Sequence, residues 1–461
     1  MPCPFHPPSP DPISTEKGSL FWRVKFFVRI WRSTLSGFLQ KHYQGNLSVT
    51  NVFGKKVFLL KAPELIGHAL VKEPDAYPKD SGFAQGVSPL MGDNLITNPG
   101  GEDWRRMRDM VNQAFEPAKL KHSFQKMMEG CDALVERLSR TDQNEEVSVD
   151  AEMSHATADI IFRTLLSIPL DSDEAGKIFD NLQKFQRTTI RNMTLGAYRI
   201  PGWIAIFNWL VWRRSGREVR RLISPIVEAR YQSRRERGDH PVNDMLDALI
   251  DARDENGGGM SVSEIVNQIT LLFVAGHETS ASGLTWALYL IANQPEVQDR
   301  ILAESVSILE GRELKFTDIA SHRFTRDVFR ETLRLYPPVP ILPLRRAKKD
   351  DYLCQTEIPS ESMVVISPWL AQRKEDVWNQ PGVFDPGRWG KASPVTASYL
   401  PFSLGPRNCI GAGFAMQEAV LILIRIVREF RLEVPDDFEP EPTARITLRS
   451  ANGMRLRLIK R

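Results

Sequence analysis

One stretch restricts the fold more than any other. From Ile265 to Ala292 the chain is apolar almost all the way round a helix, and the run stops before Pro295. A helix apolar on every face belongs in a protein interior, so the remaining chain has to be large enough to bury it. Ser261-Val262-Ser263-Glu264 opens it with a capping box, in which the serine oxygen satisfies an amide one turn in and the glutamate reaches back. Gly276-His277-Glu278-Thr279 then interrupts its middle. A glycine there costs about 1 kcal/mol relative to alanine, and a glutamate among apolar neighbours costs more unless it is partnered. A polar knot that fixes helix packing and a site of chemistry both account for that cost, and the helix alone leaves both open.

The chain has the size for such a core. Its 461 residues correspond to about three average domains or one large fold. Hydrophobic residues make up 42% and charged residues 25%, which excludes a chain disordered over most of its length. The net charge is +3, with acids and bases interleaved, so nucleic acid is not an expected partner. No apolar run is long and charge-free enough to span a bilayer. Cys3, Cys131, Cys354 and Cys409 are too few and too scattered for a disulfide framework. The Pro-rich start, Met1 to Asp11, lacks the order of a secretory signal, and the expected location is cytoplasmic. Residues 1–19 read as a disordered, Pro-rich terminus and 20–461 as one large unit.

Helical periodicity dominates from Trp104 to Leu335, with Ser224 to Arg235 and Met245 to Ile250 as clear cases. Asp254 to Met260 is a Gly-rich loop. Strand-like stretches flank the helical block at Leu47 to Leu60, Met363 to Ser367 and Ala444 to Ile459. The expected class is mainly α with small β-sheets, an α+β arrangement in a single large fold.

A second segment suggests chemistry. Pro401-Phe402-Ser403-Leu404-Gly405-Pro406-Arg407-Asn408-Cys409-Ile410-Gly411 places one cysteine among glycines, ahead of an apolar helix running from about Gly411 to Phe430. A cysteine at a helix mouth faces unpaired amides and the positive end of the helix dipole, which favours the thiolate. Gly405 and Gly411 leave room for a flat ligand to approach the backbone, and Phe402 is placed to shield the sulfur. Taken alone, a lone cysteine is more often a small buried hydrophobe.

The spacing Phe-x-x-Gly-x-Arg-x-Cys-x-Gly resembles the haem-ligand loop of the cytochrome P450 family, and further motifs follow in the family's order. Ala275-Gly276-His277-Glu278-Thr279 resembles the oxygen-binding stretch of its central helix. Glu331-Thr332-Leu333-Arg334 resembles its E-x-x-R, Phe384 to Trp389 its F-x-P-x-R-F, and Trp104 with Arg108 its W-x-x-x-R. Gly387 and Trp389 depart from the residues common there, while Arg388 is in place. The resemblance covers about three-quarters of the chain.

It implies a fold enclosing haem b, with Cys409 as the axial ligand of the iron and Phe402, Gly411, Ala275 and Gly276 against the cofactor. Trp104, Arg108, Arg345 and Arg407 would hold its propionates, Arg345 being preferred to Arg346. Glu331, Arg334 and Arg388 would form a buried ionic network. Thr279 and Glu278 would be the alcohol and acid that deliver protons during oxygen activation, and Gly276 would let the helix open locally. His277 is read as an unspecified position. The implied reaction is monooxygenation, with one atom of O2 entering a hydrophobic small molecule such as a fatty acid, terpenoid, steroid or aromatic compound. Peroxide-driven or rearranging chemistry on the same scaffold is the alternative, and a haem-binding sensor ranks behind it.

By the same analogy Phe83, Leu90, Met91, Leu95, Leu272, Phe273, Val339, Ile341 and Leu342 would line the substrate pocket. No flavin- or nicotinamide-binding region follows the cysteine loop, so electrons are expected from separate ferredoxin- or flavodoxin-type proteins. Arg105, Arg106, Lys119 and Lys121 offer a basic docking face. Leu20 to Trp31 is aromatic and basic, suited to packing or to a peripheral membrane contact at most. Pro201 to Trp212 is a candidate substrate entrance. A monomer is expected.

Overall fold

In a computed structural model of the chain, residues 33–52, 55–80, 90–142, 145–197, 202–237, 241–353, 355–390, 397–444 and 446–461 are described. The expectations for 1–19, for Leu20 to Trp31 and for Phe83 lie outside them. The helices are α1 Pro63–Gly67, α2 Glu102–Ala114, α3 Pro117–Ser139, α4 Val149–Leu166, α5 Asp173–Ala197 and α6 Gly202–Arg237. They continue with α7 Met245–Asp251, α8 Val262–Ala292, α9 Pro295–Leu309, α10 Arg323–Leu335, α11 Pro368–Ala371 and α12 Ala412–Glu429.

Strands β1 Leu47–Val52 and β2 Lys55–Leu60 form a hairpin, as the alternation there predicts. Strand β2 runs parallel to β7 Met363–Ile366, which pairs on its other edge with β4 Arg345–Arg346. Strands β5 Asp351–Leu353 and β6 Thr356–Ile358 make a small ladder of their own. Strand β3 Glu146–Ser148 and β8 Phe430–Glu433 flank β11 Arg455–Lys460, while β9 Pro442–Ala444 pairs with β10 Leu448–Ser450. The fold is therefore mainly α with small separate sheets, as expected. The segment Ala444 to Ile459 divides into the end of β9, β10 and most of β11 rather than one strand.

Helix α8 runs through the middle and carries the predicted capping box. Ser261 Oγ accepts from the Glu264 amide, and the Ser261 amide donates to Glu264 at 2.7 Å. Its first half packs against α4, where Phe162 meets Phe273 at 4.4 Å between ring centroids. Its second half packs on α10: a Cβ at Gly283 would meet Phe329 at 3.1 Å and Leu333 at 3.2 Å. Trp286 stacks on Tyr336 with centroids 3.9 Å apart. Such contacts bury Ile265 to Phe273 and Ser280 to Ala292. Val274, Ala275, Gly276, Glu278 and Thr279 alone along this span keep partial accessibility. An interior helix uncovered only at its polar interruption borders a space there.

Candidate functional site: a cysteine loop and a cradle of cations

The Cys409 amide donates to the Phe402 carbonyl at 2.8 Å and closes the loop upon itself. Ser403 and Gly405 take positive φ, 57° and 71°. A Cβ at Gly405 would lie 2.0 Å from the Leu70 carbonyl oxygen. Gly405 is thus demanded by the backbone turn and by that approach, which corrects the expectation that it clears room for a flat ligand. At Gly411, the N-cap of α12, a Cβ would meet only Phe115 at 3.7 Å, so protein packing does not require the glycine.

Cys409 is accessible on one side and hemmed in by protein on the others. Burial pushes its thiol above the ordinary 9.0, outweighing the Gly411 amide and Arg108, which pull it down. The helix mouth thus favours the thiolate, as expected, but burial works against it. A bonded metal ion deprotonates a coordinating thiol outright.

Around the loop the chain assembles four cations from four places. Arg108 on α2 donates to the Asn408 carbonyl at 2.9 Å and to its side chain at 2.8 Å. Arg407 donates to the carbonyls of Asn98 and Pro99, and its guanidinium lies 4.3 Å over the Trp104 ring. Arg345, 5% exposed, donates to the Tyr77 carbonyl at 2.8 Å and leaves its buried Nε without a hydrogen-bond partner. Lys79 forms an isolated β-bridge with Arg345. Burial, then Arg407, Arg345 and Arg108, lower its pKa to about 7. Burial and Arg407 lower Arg345 to about 10. Among the described residues, the hydrogen bonds of Arg108, Arg345 and Arg407 go to carbonyls and one amide side chain, none to a carboxylate. Mutually repelling, half-buried cations with an unfilled donor fit a ligand bearing two negative groups.

Two expectations are refined by this geometry. Arg346 is tied outward to Asp80 and Glu361, which leaves Arg345 as the inward member of the pair. Trp104 does not offer its N–H to the cradle: the indole donates to the Leu95 carbonyl at 3.1 Å, and its ring serves as the platform for Arg407.

On α8, the Thr279 hydroxyl donates to the Ala275 carbonyl at 2.7 Å. The helix is continuous through Gly276, where a Cβ would come within 2.7 Å of Ile161 on α4. The glycine thus also allows close approach of α8 to the Ile161 side chain on α4. His277 is buried, its Nδ1 bonded to the Phe273 carbonyl at 2.8 Å. Glu278 has a cationic partner that the sequence did not reveal. Arg449 Nε donates to one of its oxygens at 3.0 Å, Arg449 Nη2 lies 2.7 Å from the other, and the Thr447 hydroxyl donates at 2.8 Å.

Glu331, Arg334 and Arg388 do meet. Arg334 forks onto Glu331 at 2.9 and 2.8 Å, and Arg388 Nε donates to it at 2.9 Å. The Asp385 amide adds a fourth bond at 3.1 Å. Glu331 and Arg334 are fully buried, and Arg334 spends its remaining donors on the carbonyls of Gln372, Pro381 and Val383. Trp389, the unusual residue beside Arg388, lies under Arg330 at 4.1 Å.

The pocket candidates divide. Val339 and Ile341 are partly accessible, while Leu90, Met91, Leu95, Leu272 and Leu342 are buried. Phe273 belongs to the α4–α8 interface. Trp212 turns into the core and stacks on Phe185. On the proposed docking face, Arg106 is held by Asp254 and Glu264, and Arg105 by Asp75. Among the described residues, no helix is long and apolar enough to cross a membrane.

A fold of this class, with a cysteine loop beside a cation cradle and an uncovered central helix, is that of a haem-thiolate oxidoreductase. The chain belongs to the cytochrome P450 family, whose model, described as Cytochrome P450, matches residues 9–455. It is 32% identical over 409 residues to cyclooctatin synthase of Streptomyces melanosporofaciens, covering 87% of both chains. It is 29% identical to pentalenene oxygenase of Streptomyces avermitilis, again over 87% of each. Cytokinin hydroxylase of Arabidopsis thaliana is 30% identical, over 86% of this chain and 77% of that protein. Members of the family are monooxygenases that bind haem b through a cysteine thiolate and use a substrate, O2 and redox partners.

Sequence reasoning missed Lys79, Asn408, Thr447 and Arg449. Asn408 is an unspecified position inside the cysteine loop, while Lys79, Thr447 and Arg449 sit in no motif and reach their places only through contacts between distant segments. The acid in an apolar helix was the one available signal that a cation had to exist somewhere.

Proposed function

We propose that this protein hydroxylates or otherwise mono-oxygenates an apolar small molecule, a terpene skeleton being the class best supported. The observation that carries the reading is the four-cation cradle beside accessible Cys409, which suits a ligand with two anionic groups. Haem b, when bound, supplies the activation of dioxygen. Lys79, Arg108, Arg345 and Arg407 would neutralise its propionates, with the Trp104 ring supporting Arg407, and Cys409 would supply the thiolate that holds the iron. The Thr279 hydroxyl, parked on the Ala275 carbonyl, holds a proton at the uncovered stretch of α8. Glu278 links that hydroxyl to water. Val339 and Ile341 present an apolar wall without fixed charge, suited to a hydrocarbon. The similarity to cyclooctatin synthase and pentalenene oxygenase supports the same substrate class. Electrons come from a separate ferredoxin- or flavodoxin-type protein, and Lys119 and Lys121 remain as docking cations on a face where Arg105 and Arg106 are already paired.

The test is spectral and kinetic. The reduced protein exposed to carbon monoxide should show the strongly red-shifted band of sulfur-bound ferrous haem, and its absence ends the reading. Terpenes should shift the ferric haem toward high spin, whereas a shift with fatty acids alone would reassign the substrate. Thr279→Ala should keep the haem spectrum and divert electrons to hydrogen peroxide. Unchanged product per electron pair would remove its proton role.

A further inference from the structure

The acid of the central helix is gripped by the C-terminal hairpin. Side chains alternate along a strand, so Thr447 and Arg449 share one face while Leu448 takes the other. Leu448 is fully buried and anchored through its backbone on both sides. Its amide donates to the Pro338 carbonyl at 2.9 Å, and its carbonyl accepts from Ser282 Oγ at 2.5 Å. The strand is thus fastened to α8 one turn beyond Glu278 and to the segment that leads into Val339 and Ile341. With Leu448 held, Thr447 and Arg449 both meet Glu278, the guanidinium as a two-pronged fork. Such forks fix direction as well as charge.

We propose that Arg449, with Thr447, is a positioning residue for Glu278, holding it as an oriented carboxylate for proton relay to Thr279. This rests on the reading of Glu278 and Thr279 as the acid–alcohol pair. The carboxylate takes a proton from solvent water, passes it to the network at the Thr279 hydroxyl, and returns ionised for the next. Burial alone opposes that state by raising the carboxyl pKa, but Arg449, His277 and the Thr447 hydroxyl bring it below the ordinary value. The charged and titratable groups that act on it are Arg449 on β10 and His277 on α8, with Nε2 at 3.8 Å. Glu418 on α12 instead faces Ser280. From α4 the neighbour is uncharged: the Thr157 hydroxyl donates to the His277 carbonyl at 3.0 Å.

The experiment compares haem-loaded wild type, Arg449→Ala, Arg449→Lys and Thr447→Val. Glu278 is titrated by infrared difference spectroscopy, with Glu278→Gln as the blank that assigns its band. Arg449 is one-third exposed, so its truncation is tolerable to the fold. Losing an opposite charge at this range should raise the Glu278 midpoint by about 1–3 pH units in Arg449→Ala. Product per electron pair, flat across neutral pH in the wild type, should then fall on the acid side along the same midpoint. Arg449→Lys should restore both readouts, and Thr447→Val should move them by less. An unmoved Glu278 band in Arg449→Ala overturns the proposal, and so does a moved band with an unmoved coupling profile. Unchanged coupling in Glu278→Gln would instead sink the role of Glu278 itself, whatever its band does.

Discussion

Two buried glutamates show how partners decide what a carboxyl group does. Glu331 is surrounded by Arg334, Arg388 and the Asp385 amide. Such an ion pair adds little net stability, because desolvation offsets attraction, but removing one member strands a buried charge. Glu331→Ala should therefore cost about 3–5 kcal/mol in denaturant unfolding and yield little haem-loaded protein. Full loading would contradict the buried network's importance. Glu418 is the opposite case. It is fully buried, neither oxygen has a hydrogen bond of good geometry, and burial lifts its pKa to about 8 against the pull of the Ser280 hydroxyl. Below its ordinary 4.5 the folded and unfolded states both hold the proton, so no penalty exists. Between that value and about 8 the unfolded state ionises while the folded state does not, and stability declines as pH rises. Glu418→Gln should be more stable than wild type at pH 8 and above, the gain fading toward pH 4.5. Unfolding curves across that range decide it.

At the scale of elements, α8 joins other parts of the fold at its start. Glu264 closes the capping box and also accepts from Arg106 at 3.0 Å, while Arg106 Nε donates to Asp254 in the Gly-rich loop at 2.7 Å. The cap thus ties α2, the loop and α8 together. Ser261→Ala should cost about 1 kcal/mol, the usual worth of an N-cap. Thermal unfolding with haem bound measures it, and a loss within error would show that the Arg106 linkage alone holds this end. Gly405 poses a stricter demand. Its positive φ and the Leu70 carbonyl at 2.0 Å from a hypothetical Cβ leave no small adjustment available.

For the molecule as a whole, the role proposed for the cradle would make folding and cofactor binding interdependent. Lys79, Arg108, Arg345 and Arg407 repel one another until two anionic groups arrive. A ligand that binds only the native state stabilises it in proportion to its affinity and concentration. Removing haem should lower the melting temperature, and the haem-free protein should regain part of the loss as salt rises, since ions screen the repulsion. Lys79→Met should reduce that salt response. Equal salt dependence with and without haem would argue against the cradle.

By itself the chain determined the elements and the chemistry. Periodicity marks α8 from its capping box to Ala292, the hairpin β1–β2 and the helix after Cys409, because burial pattern and local hydrogen bonding are short-range properties. The fixed spacings around Cys409, Glu278 and Glu331 carried the resemblance to the cytochrome P450 family, and the cofactor class followed from that resemblance. Only the tertiary structure decided the partners. Nothing within a few residues of Glu278 announces Arg449, and nothing near Arg345 announces Lys79, since each pair is closed by segments far apart in sequence. It also reassigned Gly405 from ligand clearance to packing, because the atom that excludes a side chain there, the Leu70 carbonyl oxygen, belongs to another element.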